Sequence, residues 1–376
     1  MDDALTPFAV DVPAEEVDDL RRRLRGTRWP DAATVGDWSQ GVPLDWLREV
    51  CRYWAEEYDW SACQARLDAV PQLTTVVDGL AVHLLHVPSP HPGALPLVLT
   101  HGWPGSVLEF LDLLGPLTDP EDPRDAFSVV VPSLPGYGWS GHPEAPGWGP
   151  ARTADAWAEV MRRLGYERFG AQGGDIGSFV SANLGARHPD RVAGVHLNMV
   201  VTEPPPGQTE FDEREQRALD RMRTFRTDGS SYSHQHRTRP QTLGYGLTDS
   251  PAGQAAWILE KFAAWTDNDG DPTSAIALDR LLDDVSVYWF TRTATSSARM
   301  YWEMARAPEE RAPQVDVPSG VSLFPHEIFV PPRAWVERQL TDLRLWREHD
   351  SGGHFAAMER PGELLADVRE FFRPLR

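Results

Sequence analysis

Short, almost wholly apolar runs alternate along the middle of this chain with stretches whose apolar residues recur at helical spacing. The apolar runs lie at residues 95–102, 127–133, 168–174 and 192–200. The helix-like stretches lie at 105–116, 152–164 and 177–187. Unbroken apolar strands that alternate with helices are typical of a parallel sheet covered on both faces. The pattern therefore predicts an α/β core.

The segment before this core has a different pattern. Residues 13–26 and 43–58 have the apolar spacing of amphipathic helices, and the second is rich in Trp and Tyr. Residues 74–87 contain two β-rich runs around Asp78-Gly79. Because this residue pair favours positive φ, we predict a hairpin there.

The alternation stops after residue 203 for about a hundred residues. Residues 208–306 are mostly helix-like, with a loop-rich stretch expected around 227–250. Beyond them the pattern predicts strands at 320–324 and 343–349 and helices at 332–340 and 362–372. The simplest account is a helical cap inserted into one sheet. We predict an N-terminal segment at 1–90, a core at 91–202 and 307–376, and a cap at 203–306.

Composition excludes several classes of function. The 376 residues carry a net charge of −20, which argues against nucleic-acid partners and anionic membrane surfaces. No run approaches 18 apolar residues and the acidic N-terminus does not have the layout of a signal peptide, so we expect a soluble, cytoplasmic protein. We expect Cys51 and Cys63, the two cysteines, to be reduced and packed.

The run Gly173-Gly174-Asp175-Ile176-Gly177 lies between a predicted strand and a predicted helix. Small residues two before and two after a central nucleophile are typical of the strained turn that presents the nucleophile in α/β-hydrolases. A carboxylate at that position suits displacement at a saturated carbon, which indicates epoxide opening or carbon–halogen cleavage. The alternative is an aspartate that only caps a helix.

Two further segments complete the candidate site. His101-Gly102-Trp103-Pro104-Gly105-Ser106 follows a strand, where this fold places one oxyanion-hole donor, so we expect the backbone N–H groups of Trp103 and Ile176 to form the pair. His354, in the sequence Gly-Gly-His-Phe after a late strand, is the candidate general base.

The base needs an acid to orient it, located between the nucleophile and the histidine. Glu327 follows a predicted strand directly and is the best placed by position. Asp316 and Asp350 are the rivals on position alone.

Several motifs together resemble the microsomal-type epoxide hydrolases, a family that includes juvenile-hormone epoxide hydrolases. They are HGWPGS, PSLPGYGWS, QGGDIGS, LTDSPAGQAAWILEKFAAW and GGHFAAME, and the resemblance covers nearly the whole chain. It implies an α/β-hydrolase fold with a mostly parallel central sheet, a helical cap and an N-terminal wrapping segment. It also implies conversion of an epoxide and water to a vicinal diol without a cofactor or metal.

The resemblance adds two cap tyrosines that hydrogen-bond the epoxide oxygen. One follows a Ser-Ser-x-Arg segment and corresponds to Tyr301. The other corresponds to Tyr232, with Tyr245 as the alternative. The family's acid lies in a motif similar to FPHEIFVPPRAWV, which supports Glu327.

Two other functions of the same fold agree less well with the sequence. A haloalkane-type dehalogenase would have a halide-binding Trp where this chain has Ile176. A non-catalytic binding protein of the same fold would tend to lack one of Asp175, Glu327 and His354, which are all present. The pair His234-x-His236 has no third ligand beside it, so we expect no metal.

The resemblance leaves the substrate open. The aromatic residues and the cap suit a small-molecule epoxide with a bulky aryl or alkyl substituent, in detoxification or in natural-product biosynthesis such as that of an enediyne antibiotic. A homodimer is one option, and the oligomeric state is also open.

Overall fold

A computed structural model describes residues 4–376, and within that range nine strands form one sheet. The strands are β1 (Thr6–Phe8), β2 (Gln72–Val77), β3 (Leu80–Val87), β4 (Leu95–Thr100), β5 (Phe127–Pro132), β6 (Phe169–Gly173), β7 (Val192–Leu197), β8 (Ser319–Leu323) and β9 (Leu343–Glu348). Their order across the sheet is β1-β2-β3-β5-β4-β6-β7-β8-β9.

The sheet is antiparallel at one side and parallel through its centre. β1 pairs with β2 and β2 with β3 in antiparallel orientation, and β3 is also antiparallel to β5. From β5 to β9 every neighbouring pair is parallel. Every residue of β5, β6, β7 and β8 is buried, as expected for apolar strands covered on both faces. The predicted, mostly parallel sheet is confirmed.

Helices cover both faces of the sheet. The helices of the N-terminal segment are α1 (Ala14–Arg25), α2 (Leu44–Glu56) and α3 (Trp60–Asp68). Those of the core are α4 (Leu111–Thr118), α5 (Pro150–Arg163) and α6 (Ile176–Arg187), with α13 (Arg333–Val336), α14 (Ala356–Glu359) and α15 (Pro361–Phe372) after the cap. The predicted hairpin is also present, because Asp78 and Gly79 have φ values of 50° and 81° between β2 and β3.

The helix predicted at residues 332–340 was too long. Only Arg333–Val336 forms a helix there, because the chain then turns so that Leu340 bridges to Val315 beside the sheet. This pairing depends on a residue 25 positions upstream and has no local sequence pattern.

The cap consists of six helices. They are α7 (Glu213–Thr224), α8 (Ser231–Thr238), α9 (Pro240–Asp249), α10 (Pro251–Trp265), α11 (Leu278–Thr291) and α12 (Ala294–Met304). The prediction of a loop-rich stretch around 227–250 was wrong, because α8 and α9 occupy most of it. Helix α8 is polar, and it is held by burial of Tyr232 and His236 against Trp103. Such tertiary contacts override a weak local preference.

The N-terminal helices are hydrogen-bonded to the cap. The Trp54 indole donates to Ser286 Oγ at 3.0 Å, and the Tyr58 hydroxyl donates to Asp283 at 2.8 Å. Trp46 bonds Asp271 and Tyr53 bonds Asp279 in the same way. The four donors come from 46–58 and the four acceptors from 271–286, so we call this surface the N-terminal clamp.

The two cysteines, Cys51 and Cys63, are free thiols and both are buried. Burial raises the pKa of the Cys51 thiol to about 12. A thiol with so high a pKa is a poor nucleophile, so Cys51 acts as a packing residue.

Candidate active site

Asp175 lies on a strained turn between β6 and α6. Its φ of 48° and ψ of −126° lie in a region that non-glycine residues rarely adopt. A Cβ at Gly177 would overlap the backbone carbonyl of Thr100, and one at Gly173 would overlap the carbonyl of Gly177. The turn can therefore approach the end of β4 only with glycine at these positions. The result is a side chain presented at the carboxyl end of the central parallel strands.

The two carboxylate oxygens of Asp175 have different surroundings. Oδ1 accepts a hydrogen bond of 2.8 Å from the backbone N–H of Trp103, whereas Oδ2 lies 3.8 Å from His354 Nε2. Burial raises the pKa of Asp175, while the charge of His354 and the N–H groups of Trp103 and Ile176 oppose that rise. The backbone donors expected at Trp103 and Ile176 thus both act on this carboxyl group.

His354 is held on its other side by Glu327. His354 Nδ1 lies 2.7 Å from Glu327 Oε1, which also accepts the Ile328 N–H at 2.6 Å. Burial disfavours the imidazolium, but the charge and hydrogen bond of Glu327, with the charge of Asp175, outweigh it and raise the pKa of His354 to about 9. The two nitrogens of His354 therefore face two carboxylates.

The rival acids lie elsewhere. Asp316 is exposed and accepts hydrogen bonds from Gln314 and Thr341, and Asp350 is exposed after β9. Neither contacts His354 among the described residues. Of the three positions left open by the sequence, the structure brings only Glu327 to the histidine.

Tyr232 and Tyr301 enter the site from two cap helices. They are 4% and 7% exposed, whereas Tyr245, the alternative to Tyr232, is 71% exposed at the surface. The rings of Tyr232 and Tyr301 lie 5.8 Å apart, edge to face, and Tyr232 stacks on Trp103 at 4.9 Å. The Tyr301 hydroxyl is buried, makes no hydrogen bond of normal geometry to the described residues, and lies near enough to the Tyr232 hydroxyl to affect its pKa. Burial is the main cause that raises the pKa of both tyrosines well above the usual value, so both remain hydrogen-bond donors.

The Asp175 carboxylate separates two cavities. The smaller, which we call the back cavity, is lined by residues that include Glu109, Asn198 and His354 and has a volume of about 10 Å³. That volume is about the minimum that holds one water molecule. The back cavity can therefore place a water between Asp175 and His354.

The larger cavity, which we call the front cavity, lies on the tyrosine side of Asp175. Its volume is about 200 Å³, and its lining includes Ile176, Tyr232 and Tyr301. An electrophile in the front cavity and a water in the back cavity would approach the same carboxyl group from different sides.

Glu109 and Asn198 also line the back cavity, and none of the sequence motifs pointed to them. Burial, followed by the charge of Asp284, raises the pKa of Glu109 well above that of an ordinary carboxyl group. A neutral Glu109 can donate a hydrogen bond into the back cavity. The one available sequence signal is a lone carboxylate among apolar neighbours, because Glu109 lies between Leu108 and Phe110.

The His-x-His pair does not form a shared site. His236 is buried and accepts a hydrogen bond from the Trp257 indole, whereas His234 is exposed and faces Arg237. Within residues 4–376, no three His, Cys, Asp or Glu side chains are grouped to hold a metal ion. In the same range, no helix combines the length and apolar character needed to cross a bilayer.

Comparison with known proteins agrees with this geometry. Residues 5–110 match the family model for the epoxide hydrolase N terminus, and residues 96–239 match that for the alpha/beta hydrolase fold. A protein of Stigmatella aurantiaca named "Putative epoxide hydrolase" is 51% identical over 99% of this chain and 86% of its own. Epoxide hydrolase 1 of Sus scrofa is 34% identical over 98% of this chain and 89% of its own.

Solved structures show the same similarity. The epoxide hydrolase of Aspergillus niger superposes with a TM-score of 0.90 at 34% identity, covering 99% of this chain and 97% of that one. The juvenile hormone epoxide hydrolase of Bombyx mori superposes with a TM-score of 0.92 at 31% identity, covering 99% and 95%. The identities and coverages show that this chain belongs to the epoxide hydrolase family, on the α/β-hydrolase fold.

Proposed function

We propose that this epoxide hydrolase acts through a covalent ester on Asp175. The observation that carries the proposal is the position of that carboxylate between two cavities, with the Trp103 N–H on one oxygen and His354 near the other. A carboxylate placed in this way can serve first as a nucleophile and then as the carbonyl group that water attacks.

In the first step, Asp175 Oδ2 attacks one ring carbon of an epoxide in the front cavity. The bond from that carbon to the epoxide oxygen breaks, and the oxygen takes a proton from Tyr232 or Tyr301. Both hydroxyls are buried and protonated, and they interact with each other, so both can donate to the developing alkoxide. The product is a hydroxyalkyl ester of Asp175.

In the second step, His354 Nε2 takes a proton from a water in the back cavity, and the hydroxide attacks the carbonyl carbon of the ester. The Trp103 and Ile176 N–H groups stabilise the oxyanion that forms on Oδ1. Glu327 stabilises the imidazolium. Collapse of the intermediate breaks the bond between the carbonyl carbon and Oδ2, and the alkoxide that leaves takes the proton of the new carboxyl group, so that Asp175 is again a carboxylate. The vicinal diol leaves, and the proton on His354 returns to the tyrosinate.

The loss of the Asp175 charge in the first step prepares His354 for the second. Part of what holds the pKa of His354 at about 9 is the charge of Asp175. Formation of the ester removes that charge and lowers the pKa of His354, so the imidazolium releases its proton to solvent and the neutral imidazole can then act as the base.

The dehalogenase alternative has less support. A leaving halide is stabilised by side-chain N–H donors such as those of Trp or Asn. Among the described residues that line the front cavity there is no Trp or Asn, and Ile176 follows the nucleophile. The physiological role, the cytoplasmic location and a homodimeric assembly stay predictions.

The test is to treat the His354→Gln variant with styrene oxide and record the intact-protein mass. We expect a gain of one epoxide that maps by peptide analysis to Asp175, because ester formation proceeds while hydrolysis stalls. The Asp175→Asn variant is the matched control and should gain nothing. An adduct on another carboxylate would reject Asp175 as the nucleophile.

A further inference from the structure

The wall of the front cavity is apolar around the reacting carboxylate. Its apolar side chains come from the core, the cap and the segment after β8, and they include Phe179, Met199, Val201, Phe225, Met304, Ile328 and Phe329. Such a wall favours a substrate whose body is a hydrocarbon.

The charged groups of the front cavity are unbalanced. Its described lining contains one carboxylate, Asp175, and two guanidinium groups, Arg237 and Arg311. Arg311 has no hydrogen-bond or ion-pair partner among the described residues, and Arg237 is bonded only to His234, at 2.8 Å. Both guanidinium groups are therefore available to an anionic ligand, although the chain as a whole has a net charge of −20.

The two arginines follow the two tyrosines along the chain. Helix α8 carries Tyr232 near its start and Arg237 one to two turns later. Helix α12 carries Tyr301, and the short helical turn after it ends at Arg311. Both tyrosines are buried and both arginines are exposed. The front cavity therefore has hydroxyl donors at its deep end, apolar walls, and two cations at its mouth.

We infer that the front cavity selects amphipathic epoxides that carry a carboxylate at the end remote from the ring. Guanidinium groups bind carboxylates through paired, charge-assisted hydrogen bonds, and Asp175 at the deep end repels the anion and so sets the orientation. The epoxide then lies at the tyrosines and the carboxylate at Arg237 and Arg311. This inference rests on the proposed attack of Asp175 on the epoxide.

The experiment compares terminal epoxy acids of seven, nine and eleven carbons with their methyl esters, and measures kcat/KM for each. In the unaltered enzyme we expect at least one acid to exceed its ester by about tenfold, mainly through a lower KM. In the R237Q/R311Q double variant that ratio should fall to about one or below. Because the ratio compares two substrates on the same protein, losses from incorrect folding cancel.

Arg239→Gln is the matched control. Arg239 is an exposed arginine next to the same helix, it does not line the front cavity, and it bonds only a backbone carbonyl. This variant loses the same charge, so it should keep the ratio of the unaltered enzyme. An equal loss of the ratio in Arg239→Gln would indicate a general effect of surface charge and overturn the inference.

Styrene oxide separates the two proposals. Turnover of styrene oxide without any acid preference, or with a preference that survives in the double variant, overturns the carboxylate inference and leaves the ester mechanism intact. Absence of diol from styrene oxide and from all six chain epoxides would instead reject the proposed function.

Discussion

Replacement of Glu327 by Gln removes one negative charge from the pair with His354 and keeps the shape of the side chain. The pKa of His354 is about 9, against an ordinary value of 6.5. At about 1.4 kcal/mol for each pH unit, the surroundings of His354 favour the imidazolium by roughly 3 to 4 kcal/mol. Glu327 supplies the largest contribution that favours the charge, at a distance of 2.7 Å.

The imidazolium forms when water attacks the ester, so this step should suffer the loss. A cost of roughly 3 to 4 kcal/mol corresponds to ester hydrolysis that is slower by about two to three orders of magnitude. Ester formation does not create charge on His354 and should change by only a few-fold. We therefore expect Glu327→Gln to convert a transient ester into one that accumulates.

The assay is a rapid-quench single turnover with styrene oxide, followed by intact-protein mass. It gives the rates of ester formation and ester loss separately. Asp316→Asn and Asp350→Asn are the controls, since each removes an exposed carboxylate at a position that the sequence alone left open. Equal slowing of both steps, or hydrolysis as fast as in the unaltered enzyme, would refute the assigned role of Glu327.

Three other predictions follow from the site. Glu109→Leu should slow ester hydrolysis about tenfold, as measured by single turnover. Glu109→Gln should keep most of the rate, because a neutral carboxyl group and an amide both donate hydrogen bonds. Similar losses in the two variants would reject a hydrogen bond from Glu109 into the back cavity. Tyr301→Phe should slow ester formation about a hundredfold with little change in hydrolysis, and the exposed Tyr245→Phe should change neither step. Asp175→Asn should lower the pKa of His354 from about 9, because it removes an anion that stabilises the imidazolium; a histidine NMR titration with an unchanged or higher midpoint would contradict this.

The strands of the core could be predicted from the sequence because each one has a recognisable pattern in its own residues. The runs that became β4, β5, β6 and β7 are apolar almost throughout, and burial on both faces leaves that pattern in each strand. The turn at Asp175 was also predictable, because its flanking glycines are required by overlaps with neighbouring backbone.

Features that depend on distant contacts could not be predicted in the same way. Helix α8 is polar and was expected to be loop, since its stability comes from packing of Tyr232 and His236 on Trp103, more than a hundred residues earlier. The place of Glu109 in the back cavity could not be predicted either, because only the folded chain brings it beside His354. The division of the chain at residues 90, 202 and 306 stays a prediction.

The N-terminal clamp limits how this enzyme can exchange its ligands. Tilting the cap away from the sheet as a rigid lid would either break four hydrogen bonds, each worth about 1 kcal/mol, and expose the buried ring of Trp54 to water, or move the N-terminal helices together with the cap. Rotation of exposed side chains such as Arg237 takes picoseconds to nanoseconds and breaks no such surface. Epoxide and diol should therefore enter and leave through the mouth of the front cavity while the cap stays in place, so that turnover need not wait for a domain motion.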